Sequence, residues 1–266
     1  MKIKMMLTAA MLTGALLLPA EAAAVPINNQ SAWALTETTI VGDGTAYVSL
    51  RTVAQLLAPD AQVSWQDGTA RVKGDGLELS ARPGEQWLTA NDRVFYLPHG
   101  VLLEEGTTMV PVRSLAQALD GQVDWSRETG VILTAGSGRP DRAPYSEEEL
   151  YWMSRIISAE SRGEPLLGKL AVGTVVMNRV ASDEFPDSIY DVIFDRKYGV
   201  QFQPVANGTV YDEPTQESVL AAKMCLEGAR VVGDSLYFLA PELTNNHWIM
   251  ENREFVTTIG CHWFYR

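Results

Sequence analysis

Histidine and cysteine are rare in this sequence, three and two among 266 residues, and each shortage closes off a class of chemistry. His99, His247 and His262 stand far apart, and no H-x-x-x-H or H-E-x-x-H joins them into a zinc site. No metal and no other cofactor is expected. Cys225 and Cys261 lie in no catalytic signature, which argues against a thiol nucleophile. They either close one disulfide onto a helix or stand as two separate buried thiols. The second reading is preferred, because spacing alone does not supply disulfide geometry. Basic residues are also short: 21 Lys and Arg against 33 Asp and Glu leave a formal net charge of -12. No basic stripe is present, so a nucleic-acid partner is excluded. Beyond the first residues no apolar run approaches the roughly 20 residues that a membrane-spanning helix needs.

What is present begins with an export signal. Lys2 and Lys4 precede an apolar stretch from Met5 to Leu18, followed by Pro19 and Ala20-Glu21-Ala22-Ala23-Ala24. That order reads as a secretory leader over 1–24, cleaved after Ala22 or Ala24. A secreted or cell-wall-associated protein is expected, with no further transmembrane segment. Its charge stands near -13, because the leader carries Lys2, Lys4 and Glu21 away.

The fold class expected is α+β. Residues 27–135 read as a duplicated β-rich module with two helices. AYVSLRTVAQLLAPDAQVSWQDGTARV resembles TMVPVRSLAQALDGQVDWSRETGVILT some 60 residues later, with Arg51 aligned to Arg113 and Trp65 to Trp125. Each copy reads as a short strand, an amphipathic helix, a tryptophan-bearing strand, a turn and another strand. The module resembles the copper amine oxidase-like N-terminal domain of exported bacterial proteins. The name implies no copper here, since the region holds one histidine, His99, and no cysteine. Core packing is the preferred role for Trp65 and Trp125, against a carbohydrate-stacking platform. Spacer, wall contact and protein contact all stay open for the module. A Gly-, Pro- and charge-rich linker covers 136–145.

Residues 146–266 read as mainly helical with a small β-sheet. Ser146 and Glu149 form a capping-box pattern, and the helix that follows runs to about Ser161. Leu150, Met153, Ile157 and Glu160 share one face, so a carboxyl continues an apolar seam. Pairing with Arg155, Arg162 or Arg179 is one reading, and a frayed end turned to solvent is another. The third is an acid held against apolar walls, whose proton is retained near neutrality and available to a leaving oxygen. A second helix is expected over 166–180, a short one over 188–194, and another from about Pro214 to Leu226. Strands are expected in SLYFLAP and REFVTTIGCHWFYR.

SAESRGEP, AVGTVVMNRV, FPDSIYDVIF, QFQPV, SLYFLAP and IGCHWFYR occur in the order and spacing of the cell wall hydrolase family of SleB-type spore cortex-lytic enzymes, which residues 148–266 resemble. The resemblance implies a lysozyme-like catalytic domain acting on peptidoglycan glycan strands as a lytic transglycosylase, with Glu160 as its acid and base. It also implies glycan contacts from Gln201 and Phe202 in the QF motif, from Tyr237, and from His262 and Tyr265 in the last strand. Ala240 stands where the family often carries Asn. A hydrolytic muramidase, an amidase and a non-catalytic wall-binding protein are the alternatives. Vegetative wall and spore cortex both stay open as substrate.

Overall fold

The computed structural model describes residues 22–27, 30–197, 199–244 and 247–266. The expected leader lies outside these residues up to position 21, and Ala22–Ala24 open the first strand. The N-terminal half contains β1 (Ala22–Ile27), β2 (Gln30–Leu35), β3 (Thr39–Val41), β4 (Thr45–Ser49), α1 (Leu50–Leu57), β5 (Gln62–Gln66), β6 (Thr69–Gly74), β7 (Leu77–Ala81), β8 (Trp87–Ala90), β9 (Arg93–Tyr96), β10 (Leu102–Glu104), β11 (Thr107–Pro111), α2 (Val112–Ala118), β12 (Gln122–Ser126) and β13 (Gly130–Thr134). All its strand pairs are antiparallel, in sheets ordered β1-β2-β13-β12, β10-β11-β4-β3 and β5-β6-β7-β8-β9. The duplication is visible as strand, helix, hairpin twice over: β4-α1-β5-β6 and β11-α2-β12-β13. The two leading strands pair with each other, Val48 opposite Val110. Asp67 and Gly68, at φ 51° and 74°, close the first hairpin in the two-residue turn that their residue types favour.

The tryptophans depart from expectation. Trp65 is 49% exposed and Trp125 66%. Each sits on an edge strand, β5 or β12. Val63 and Val123, two residues earlier on the same strand face, pack on the core. Two residues further on, about 7 Å along the strand, the cover has ended.

The C-terminal half contains α3 (Glu147–Ser161), α4 (Leu166–Val180), α5 (Ile189–Phe194), α6 (Gln203–Asn207), a 3-10 turn (Thr209–Tyr211), α7 (Gln216–Leu226), β14 (Tyr237–Leu239), α8 (Trp248–Asn252), β15 (Phe255–Ile259) and β16 (His262–Tyr265). The capping box forms: Glu149 N–H donates to Ser146 Oγ, and Ser146 N–H to the Glu149 carboxylate. Met153, Ile156 and Ile157 of α3 are fully buried against α4 and α7. Gly173 permits that approach, since a Cβ there would lie 2.5 Å from Cys225 Sγ and 2.9 Å from Ile157 Cδ1. The last expected strand is in fact two. The chain reverses at Gly260, φ 57°, and the sheet order is β14-β16-β15. α6 and α8, five residues each, are too short to leave a periodic signal. Among the described residues no helix is long and apolar enough to cross a membrane.

Both cysteines are free. Cys225 is buried, and burial pushes its thiol up to about 12. Cys261 is exposed, because it follows the glycine of the hairpin turn, so only one of the two expected buried thiols is buried.

The two halves meet along β9 and α7. Val94 is buried with the helical core, with Trp87 and Tyr96 beside it, while Phe95 packs into the strand module. Arg93 donates from Nε and Nη2 to Glu227 at 2.8 and 2.7 Å. Lys223 Nζ donates to the Asp92 carbonyl at 2.9 Å.

Candidate active site

A cleft of about 1210 Å³ opens where the C-terminal end of α3 meets α6, α8 and the small sheet. Glu160 borders it from the last turn of α3. The turn behind that glutamate is tied down in two ways. The buried Lys169 ammonium donates to the carbonyls of Arg162, at 3.4 Å, and Glu164, and reaches the Glu217 carboxylate at 2.8 Å. The Glu164 carboxylate accepts from the Cys261 amide at 3.3 and 3.4 Å, tying the turn to the β15–β16 hairpin. Gly260 makes room for it, since a Cβ there would lie 1.5 Å from Glu164 Oε2. Glu164 is therefore a hairpin anchor.

Two of the three arginines expected as partners of Glu160 are committed elsewhere. Arg155 pairs with Glu213 at 2.8 Å and stacks on Tyr151 at 3.7 Å. Arg162 donates to the Glu213 carbonyl at 2.8 Å. Arg179 borders the cleft but makes no ion pair with Glu160 among the described residues. Burial pushes the Glu160 carboxyl up to about 7, and the Arg179 charge opposes that rise.

Arg179 and its neighbour Asn178 are not the simple helix cap that their position suggests. Asn178 Nδ2 donates to the carbonyls of Gly233 and Ser235 at 2.8 and 2.9 Å. Arg179 Nε donates to Leu236 O at 2.8 Å. The pair fixes the segment that leads into β14. The guanidinium lies 4.8 Å from the ring centre of Phe185, 5.1 Å from Phe202 and 5.8 Å from Tyr237.

The expected glycan contacts divide. Gln201, Tyr237 and His262 border the cleft with Glu160. Gln201 Nε2 donates to Gly199 O at 3.2 Å. His262 is 8% exposed, meets Phe238 edge-on at 5.4 Å, and its Nδ1 has no hydrogen-bond partner. Burial holds the imidazole below its ordinary pKa, so it is neutral at pH 7. Phe202 does not border the cleft: at 1% exposure it belongs to the core beneath it, 6.3 Å from Phe238. Tyr265 does not border it either, and packs against Phe255 at 5.6 Å. An odd separation along β16 puts Tyr265 on the opposite face from His262.

Other cleft residues carried little sequence signal. Arg253, at the head of the segment expected as the last strand, lies 4.5 Å from the Tyr237 ring and 5.3 Å from Trp248. Glu184 and Asp195 also border the cleft, whereas the acids Asp183 and Asp212 do not.

Residues 163–265 match the Cell Wall Hydrolase family model, and residues 26–134 match the Copper amine oxidase N-terminal domain model. Glu160 stands three residues before the span matched by the Cell Wall Hydrolase model. Among curated relatives, a spore cortex-lytic enzyme of Bacillus cereus is 35% identical over 120 residues, covering 45% of this chain and 45% of that protein. A spore cortex-lytic enzyme of Halalkalibacterium halodurans is 34% identical over 122 residues, 46% of this chain and 36% of that protein. The chain thus spans less than half the length of these relatives. The solved catalytic domain of the germination-specific lytic transglycosylase SleB from Bacillus anthracis is 33% identical and covered in full by 47% of this chain, with a TM-score of 0.43.

Proposed function

We propose that this chain is an exported peptidoglycan-cleaving enzyme of the lytic transglycosylase type, with residues 1–24 as its leader, 27–135 as an accessory module, 136–145 as linker and 146–266 as the catalytic domain. The observation that carries the reading is Glu160, a half-buried carboxyl raised to about 7 on the wall of the largest cleft described. The similarity to spore cortex-lytic enzymes supports the substrate class.

Glu160, as the acid, gives its proton to the oxygen bridging N-acetylmuramic acid and N-acetylglucosamine. The C1–O bond breaks as an oxocarbenium-like state forms. Glu160, now a carboxylate, takes the proton of the muramoyl C6 hydroxyl as O6 bonds to C1. The products are a 1,6-anhydro end and a free hydroxyl on the released sugar. Gln201, Tyr237 and His262 hold the glycan in this account, while Phe202 and Tyr265 support the wall from behind.

A second reading is hydrolysis, favoured by Glu184 and Asp195 on the same cleft, either of which supplies the second carboxylate that a water-activating glycosidase needs. Digestion of purified sacculi, with masses of the released fragments, decides between them. Anhydro ends are expected. Reducing ends assign the reaction to the second reading, free stem peptides to an amidase, and no release to a binding protein.

A further inference from the structure

Arg179 is a buried cation with no settled counter-charge. It is 5% exposed, and among the described residues its one direct hydrogen bond runs from Nε to Leu236 O at 2.8 Å. Its Nη1 is buried and has no partner. Among the described residues no carboxylate lies within ion-pairing distance of it. Such an arrangement is costly, because an unpaired buried charge is disfavoured unless something repays it. The rings of Phe185, Phe202 and Tyr237 offset part of that cost. The rest is unexplained by the resting structure. The cleft residues in position to repay it are Glu160, Glu184 and Asp195.

We propose that Arg179 is the positioning residue that lets Glu160 work in both directions: the unpartnered guanidinium in the cleft stabilises the glutamate after its proton has gone to the bridging oxygen. This rests on the reading of Glu160 given above. A carboxyl that is merely buried is a good acid and a poor base, since it is too costly to leave ionised. A carboxyl paired with arginine is a good base and holds no proton to give. Glu160 and Arg179 border the same cleft with no ion pair between them among the described residues, and the Arg179 charge opposes the rise that burial imposes on Glu160. The guanidinium keeps its charge throughout, for burial lowers it only to about 10. No proton passes through it. The other charged and titratable groups on this cleft are Glu184, Asp195, Tyr237, Arg253 and His262. Burial holds His262 below its ordinary pKa.

The test compares the chain with R179M and R179Q, two neutral replacements of different shape, and with R179K, which keeps the charge. Methionine suits the aromatic surroundings, and no partnered carboxylate is orphaned by the change. Two quantities are read: the pH profile of kcat/KM on purified glycan strands, and the titration of the Glu160 carboxyl by carbon-13 NMR. Loss of the cation raises the Glu160 pKa. In R179M and R179Q the alkaline limb and the NMR midpoint should therefore both move up by about one pH unit. The plateau rate should fall at least tenfold, and R179K should keep the midpoint of the unaltered chain. An unmoved midpoint in either neutral variant overturns the proposal, as does a midpoint in R179K that shifts as far as theirs. If the unaltered chain cuts no glycan, the proposed function fails, and the NMR midpoint still decides whether Arg179 acts on Glu160.

Discussion

The joint between the two halves and the cleft of the helical half each bury a glutamate and an arginine, with opposite results. At the joint, Arg93 and Glu227 meet in a two-pronged pair at 2.7 and 2.8 Å, with side-chain exposures of 9% and 1%. The hydrogen bonds that Arg93 donates to Glu227 hold the guanidinium above its ordinary pKa, so the charge is locked in. In the cleft, Glu160 and Arg179 influence each other without an ion pair, and each is shifted by burial toward its neutral form. A buried pair that closes becomes structure. A buried pair left open keeps a proton in play. Sequence composition is the same in both places, and the distance makes the difference.

The sharpest way to break this comparison is to remove the proton. Glu160→Gln should lower glycan cleavage by about 10³-fold or more, with circular dichroism unchanged, because an amide cannot serve as general acid. Retained turnover would remove Glu160 from the mechanism.

Next in size is the joint. Glu227→Ala leaves Arg93 buried without its counter-charge and should cost about 3–5 kcal/mol in urea unfolding. The double variant R93M/E227M should recover much of the loss. Equal destabilisation in both variants would mean that packing, and not the charge, holds the joint.

Glu160→Gln should also change stability, in the direction opposite to activity. The folded pKa of Glu160, about 7, lies above its unfolded value of about 4.5, so the native state gains from the bound proton at low pH. That gain is present below about pH 4.5 and is lost as pH rises through 7. The glutamine variant carries no such loss. It should match the parent at pH 4 and exceed it by on the order of 3 kcal/mol at pH 9. Parallel stability curves from pH 4 to 9 would show that Glu160 is not held neutral by the fold.

A smaller effect belongs to the hairpin that backs the cleft. The hydrogen bond to Glu164, with its charge, raises the Cys261 thiol pKa. Glu164→Gln should therefore speed alkylation of Cys261 several-fold at pH 8, while buried Cys225 stays unreactive in the native chain. The smallest effect is expected on the strand module: W65A and W125A should each change stability by less than about 0.5 kcal/mol, since both rings are exposed.

The two long helices α3 and α4 of the cleft half were legible because they follow local rules. Ser146 and Glu149 announce the start of α3, and Pro165 stands just before α4. The duplicated strand-helix-hairpin order was legible from self-similarity. The roles of Phe202 and Tyr265 were not, because motif position says that a ring is near the site, not which way it faces. Trp65 and Trp125 misled for a related reason: a repeated aromatic suggests a shared environment, and they do share one, but it is solvent. The anchoring role of Glu164 carried no local signal, because its partner, the Cys261 amide, is 97 residues away.

By itself the sequence determined the longer helices, the duplicated strand-helix-hairpin order and that an acid would end the seam of α3, since propensity, capping and periodicity act within a few residues. Only the tertiary structure decided that Arg155 and Arg162 turn to Glu213 while Arg179 is left unpaired on the same cleft as Glu160. Charge and burial act across space, and a carboxyl's pKa is set by whatever the fold brings within a few ångströms of it.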